Sequence, residues 1–168
     1  KAVLVSPLVE IRYGPWPRPV VWLLVNAANL AGRGTMFLPG VRKTPMGRKD
    51  FPGNPLTSDR CRWERDSATL EAAPELGLGG PTFCWLRAAR RSLAELKRLE
   101  RPHAPVLIVA AGADRVVSND GIRRLARRVP GIALIFIADA LHDILAERDD
   151  IRRQFLAAFD SFITTDRR

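Results

Sequence analysis

Two short apolar runs, residues 106–111 (VLIVAA) and 132–138 (IALIFIA), stand one amphipathic helix apart, and that arrangement leaves few folds open. Each run is apolar without alternation, as expected of a strand covered on both faces of a parallel sheet. Between them Ile122, Leu125, Ala126 and Val129 recur at helical spacing, with Arg123, Arg124, Arg127 and Arg128 on the other face. Ser118 or Asn119 can cap this helix, and Pro130-Gly131 stops it. Strands joined by a single crossover helix are expected to be parallel, adjacent and connected right-handedly. An α/β fold is the expectation.

The rest of the chain extends this unit. Residues 2–9 (AVLVSPLV) read as a further buried strand, and residues 20–30 as a helix that is apolar nearly all round, hence buried or lining an apolar cleft. Glycine and proline crowd residues 32–55, which argues against any regular element longer than two turns. Thr57, Ser58 or Asp59 can cap a helix that carries Trp63 and Leu70. Gly77-Leu78-Gly79-Gly80 lacks the spacing of a phosphate loop and reads as a helix stop before a restart at Pro81-Thr82. From there Phe83, Leu86, Ala89, Leu93 and Leu96 mark a long helix to about residue 100, with Arg91 and Glu95 spaced to pair on its outer face. Ile151, Phe155, Ala158, Phe159 and Phe162 mark a closing helix. The expected organisation is a core strand at 1–11, an insertion at 12–101, and a βαβα core at 102–168.

With 168 residues and 46% hydrophobic content, the chain can bury one substantial core. The net charge of +9 comes chiefly from arginines opposite apolar helix stripes, a solvated surface, so nucleic acid is not expected as a partner. Attraction to anionic lipid, and hence peripheral membrane contact, is a secondary expectation. Cys61 and Cys84 lack disulfide or zinc spacing and read as free thiols of a reducing, cytoplasmic setting. The longest apolar stretch, residues 20–31, falls short of the ~20 residues that span a bilayer.

Asp114 and His142 each lie just past one of the two apolar runs, in Ala111-Gly112-Ala113-Asp114-Arg115 and Asp139-Ala140-Leu141-His142-Asp143. If the runs are adjacent parallel strands ~4.8 Å apart, both residues reach the same sheet edge, where open α/β sheets bind ligands. A histidine that takes a proton from a serine needs a fixed tautomer and a stabilised charged state; a carboxylate on Nδ1–H provides both. Asp114 is therefore the candidate orienting acid and His142 the candidate general base. Asp143 is assigned instead to capping the segment from Ile144, and Glu147, Asp149 and Asp150 to a helix start. His103 precedes its strand and has no expected role.

Residues 105–119 (PVLIVAAGADRVVSN), 140–147 (ALHDILAE) and 159–162 (FDSF) resemble the tail of α/β-hydrolases of the lysophospholipase and monoacylglycerol-lipase type, the serine aminopeptidase S33-like group. Residues 3–8 (VLVSPL) resemble the strand after that group's nucleophile helix; residues 54–59 (NPLTSD) and 80–85 (GPTFCW) resemble its cap. The resemblance implies the C-terminal part of an α/β-hydrolase fold with a helical cap or lid. It implies a serine hydrolase of carboxylic esters, such as a lysophospholipid or monoacylglycerol, with Asp114 and His142 as triad acid and base. A small lipid or ester is then the expected substrate, and no cofactor is required. Trp22, Phe37, Trp63, Phe83 and Trp85 suit either acyl-chain contact or core packing.

No Gly-x-Ser-x-Gly occurs, and none of Ser6, Ser58, Ser67, Ser92, Ser118 or Ser161 has an elbow context. The chain also begins inside an apolar run without methionine. These features lead us to expect a C-terminal fragment whose serine lies ~20–30 residues upstream of Lys1, inactive by itself. A small-ester esterase, a peptidase of the same fold, or a non-catalytic interaction module are the alternatives.

Overall fold

The computed structural model describes residues 1–11, 13, 16–41 and 50–165. Its sheet has three parallel strands in the order β1 (Ala2–Val5), β2 (Val106–Ala111), β3 (Ile132–Ile137). Ala2 pairs with Val106, and Val106 with Ile132, so all three strands point to one edge. The helices are α1 (Arg18–Leu30), α2 (Arg60–Ala72), α3 (Phe83–Arg98), α4 (Asn119–Arg128) and α5 (Asp149–Thr164), with 3-10 turns at Pro74–Leu76 and Ile144–Ala146.

The chain forms two compact units. The first comprises Lys1–Glu10, Phe51–Arg65 and Leu99–Arg168; the second comprises Ile11–Asp50 and Asp66–Arg98. Residues 51–65, expected within the 12–101 insertion, therefore group with the core.

In the first unit β2 is buried along its whole length, as its unbroken apolar run requires. Leu107, Val109 and Ala111 share a cluster with Ile137, Ala140, Ile144, Ile151 and Phe155, so α5 covers that face, with Val3, Val5, Phe159 and Phe162 at its margin. Val106, Ile108 and Ala110 alternate to the other face, against which α4 sets buried Ile122 and Leu125. The Ser118 hydroxyl accepts from Gly121 N at 3.1 Å and caps α4. Lys1 closes the far end of α5, donating from Nζ to Ile163 O at 2.8 Å.

Two strands differ from expectation. β1 ends at Val5 rather than residue 9, because Ser6 turns with φ of 40° and Pro7 has no N–H for the ladder. β3 is only half buried: it forms the other sheet margin and exposes Ile135.

In the second unit α1 packs on α3, burying Val25 and Leu86. Trp22 lies under the Arg90 guanidinium at 4.3 Å, with Tyr13 edge-on. Phe37 bridges Thr82 antiparallel, and Thr82 Oγ1 accepts from Trp85 N at the start of α3. Of the two readings of α1, buried or lining an apolar cleft, full burial is corrected: Leu23 is 71% and Leu30 88% exposed. Trp63, also considered for acyl contact, is buried in the first unit, edge-on to Phe51. Residues 42–49 of the glycine- and proline-rich stretch lie outside the described residues.

Candidate active site

At the C-terminal edge of the sheet, β2 and β3 continue into loops that approach very closely. Gly112 N donates to Ile137 O at 2.7 Å and Ala113 N to Ala140 O at 3.0 Å. A Cβ at position 112 would stand 2.2 Å from Ala138 O, so only glycine admits this approach.

The Asp114 loop then folds on itself. Oδ1 accepts from Val116 N at 2.7 Å and Val117 N at 3.0 Å, an Asx arrangement that fixes the carboxylate. Asn119 braces the same loop, its Nδ2 donating to Ala111 O at 2.9 Å and Gly112 O at 3.2 Å. Oδ2 lies 2.8 Å from His142 Nδ1. The Asp114 side chain is fully buried, while that of His142 is 27% exposed. A carboxylate here can accept from Nδ1–H of a neutral ring, the tautomer that leaves the Nε2 lone pair for an outside proton.

The His142 main chain is held by residues 51–58. His142 N donates to Pro55 O at 3.3 Å and Asp143 N to Leu56 O at 2.8 Å. Asn54 shapes that segment: its Oδ1 accepts from Leu56 N and Thr57 N at 2.9 and 3.0 Å. Asp143 caps the following 3-10 turn through Ala146 N.

Several residues differ from their sequence-based assignments. Glu147, expected at a helix start, is fully buried and accepts from Leu141 N, Ser58 N and the Ser58 hydroxyl. Of the three expected caps for α2, Asp59 serves, accepting from Arg62 N at 3.0 Å, while Ser58 goes to Glu147 and Thr57 Oγ1 donates to Ala146 O. The sequence marks Glu147 only as the last residue of the 140–147 segment, just before the polar start of α5. Gly112 carries a plainer signal, a glycine directly at a strand end.

Ser118 is occupied as the α4 cap, Ser58 by Glu147, and Ser6 is buried with Oγ accepting from Ala111 N at 3.3 Å. Among the described residues, no group of three or more His, Cys, Asp or Glu side chains is placed to hold a metal ion. None of the described helices is long and apolar enough to cross a membrane.

Comparison with known proteins identifies the family. The family model described as serine aminopeptidase, S33, matches residues 1–149. The chain belongs to that family. Among curated relatives, a probable lysophospholipase L2 of Haemophilus influenzae is 27% identical over 164 residues, covering 97% of this chain and 51% of that protein. The lysophospholipase L2 of Escherichia coli K12 is 30% identical over 120 residues, covering 67% of this chain and 35% of its own length. The chain thus spans about half or less of the curated relatives it matches. Among solved structures, a soluble variant of the Saccharomyces cerevisiae monoglyceride lipase, in complex with a substrate analog, superposes with TM-score 0.65 at 18% identity, covering 96% of this chain and 52% of that one. A monoacylglycerol lipase of Paleococcus ferrophilus gives 0.58 at 19%, covering 96% and 58%. Both likenesses give the fold, that of an α/β-hydrolase, represented here in part.

Proposed function

We propose that this family member supplies the acid and base of a serine-hydrolase triad, the nucleophilic serine coming from sequence outside these 168 residues. The supporting observation is the 2.8 Å contact between the buried Asp114 carboxylate and the part-exposed His142 ring, made from the ends of adjacent parallel strands. His142 Nε2 takes the serine proton as Oγ bonds to the acyl carbon, then returns it to the departing alkoxide; water repeats the cycle to free the acid. Asp114 holds the tautomer and stabilises the imidazolium.

The substrate class proposed is a lipid carboxylic ester, a lysophospholipid or a monoacylglycerol. It is supported by the relatives' names and by the exposed apolar residues of α1, which suit an acyl chain or a membrane surface. The second compact unit is assigned as the family's cap, residues 51–65 of the expected insertion belonging to the first unit. A peptidase reading is favoured by the family description alone.

The test is made on the complete protein, assayed on lysophospholipid, monoacylglycerol and an aminoacyl peptide. Asp114→Asn leaves an oxygen for Val116 N and Val117 N but turns an NH2 toward Nδ1, forcing the wrong tautomer. The expected fall in kcat is about 10⁴-fold with little change in KM. Labelling by a fluorophosphonate probe is expected in the complete protein and absent from the 168-residue chain. Full activity in the variant, or cleavage of the peptide alone, would overturn the reading.

A further inference from the structure

Glu147 is a carboxylate with no exposed surface, and its hydrogen bonds join two segments far apart in sequence. Oε1 accepts from Leu141 N at 2.8 Å. Oε2 accepts from Ser58 N at 3.0 Å, from the Ser58 hydroxyl, and from Arg148 N at 3.3 Å. Burying a charged group is costly unless such donors replace water, so a buried carboxylate with this partner set is a built feature.

The geometry points to Glu147 as a positioning residue for His142, an inference that rests on the proposed role of that histidine. Three consecutive amides of the His142 loop are anchored: Leu141 N on Glu147, His142 N on Pro55 O, and Asp143 N on Leu56 O. The last two acceptors lie on the 51–58 segment, whose own place is set by Ser58 on the second oxygen of Glu147 and by Thr57 Oγ1, donating to Ala146 O at 2.7 Å. Glu147 therefore bonds both to the loop that carries the base and to the segment that holds it. Asp114 fixes the ring through Nδ1, and Glu147 fixes the backbone at the preceding residue, Leu141. Catalysis depends on holding such a base within a few tenths of an ångström of its working position.

Each Glu147 oxygen faces donors from a different segment. Glu147→Gln keeps the size but turns one oxygen into an NH2 that faces an N–H, so either the loop or the segment must detach. Ser58→Ala is milder, removing only the hydroxyl donor.

The test reads the histidine directly. In the ¹⁵N-labelled complete protein, the hydrogen-bonded Nδ1 proton of His142 and the exchange rates of the amides of residues 141–143 are followed, with Asp114→Asn marking complete loss of the Nδ1 signal. Glu147→Gln is expected to broaden or abolish that signal and to speed exchange at 141–143 by about tenfold or more, while β2 amides stay protected. Ser58→Ala is expected to shift the same observables in the same direction by less. If Glu147→Gln does not fold, Ser58→Ala decides, and an unchanged Nδ1 signal with unchanged exchange in it overturns the inference. In the complete protein, Glu147→Gln is expected to lower kcat while leaving KM near its original value. An equal effect on KM, with the Nδ1 signal intact, counts against positioning. Because the resonance and exchange are read without substrate, absence of ester hydrolysis in the unaltered protein would count against the triad reading alone.

Discussion

A methyl group on residue 112 would sit 2.2 Å from Ala138 O, well inside contact distance, and backbone cannot swing aside as a side-chain tip can. Gly112→Ala is therefore expected to push the β2 and β3 extensions apart, losing the Gly112 N to Ile137 O and Ala113 N to Ala140 O bonds together. The cost should be about 2–3 kcal/mol in urea unfolding, accompanied by loss of the His142 Nδ1 to Asp114 contact. A variant of unchanged stability that keeps the histidine contact would show that the loops meet for some other reason. The pairing of Asp114 with His142 was legible in the sequence because each residue follows a recognisable strand, and parallel neighbours bring their ends together. Glu147 was not legible. Its burial is decided by donors such as Ser58, 89 positions away, and a Glu before an Asp-rich helix start looks in sequence like surface charge.

Elements bounded by local signals match their sequence readings closely. β2 starts and stops where its apolar run does, and α4 begins after Ser118 because that hydroxyl meets the Gly121 amide. Ser118→Ala is expected to cost about 1 kcal/mol, read as a lower denaturation midpoint with an unchanged urea slope. Covering is harder to read, since an apolar run looks alike whether or not a neighbour lies over it: β3 is expected to be buried and α1 buried or lining a cleft, and both are largely open on one side. Charge at helix starts yields a pH prediction. Asp149, in the first turn of α5, is held below the usual carboxylate range, first by its hydrogen bond from Arg62 and then by that cation's charge; Arg62 is raised by the same partner. A lowered carboxylate contributes stability that is present above its unfolded value of about 3.9 and is lost as pH falls through the lower folded value. Asp149→Asn should thus be less stable than the parent at neutral pH, the gap closing below about pH 4. Because Asp149 is mostly exposed, the gap should also shrink in molar salt; a gap independent of pH and salt would assign the loss to packing.

On the scale of the whole molecule, the sheet is narrow for its apolar content. β1 pairs only with β2 among the described residues, so its other side presents unpaired N–H and C=O groups, and Leu4 is 42% exposed beside them. Val3 and Val5 pack on the α5 side of the core, which fixes the register of β1 and turns Leu4 to the other face. Natural edge strands commonly carry charge, proline or a bulge as protection against pairing with another chain, and AVLV has none of these before Ser6. The 168-residue chain is therefore expected to self-associate at micromolar concentration, through added strands or covered apolar surface, and sedimentation velocity should show species above the 18.7 kDa monomer. Leu4→Lys places a charge on that edge and should restore the monomer with little loss of stability. If, as proposed, these residues belong to a longer protein that supplies a neighbouring strand, the same substitution is expected to act there in the opposite sense. A strand paired on both sides and covered on both faces gives a lysine no route to water, so that longer protein should be destabilised by about 2 kcal/mol or more. Opposite signs in the two contexts would mark β1 as an interior strand of a longer protein; a monomeric, unassociated chain with Leu4 intact would mean that its edge needs no neighbour.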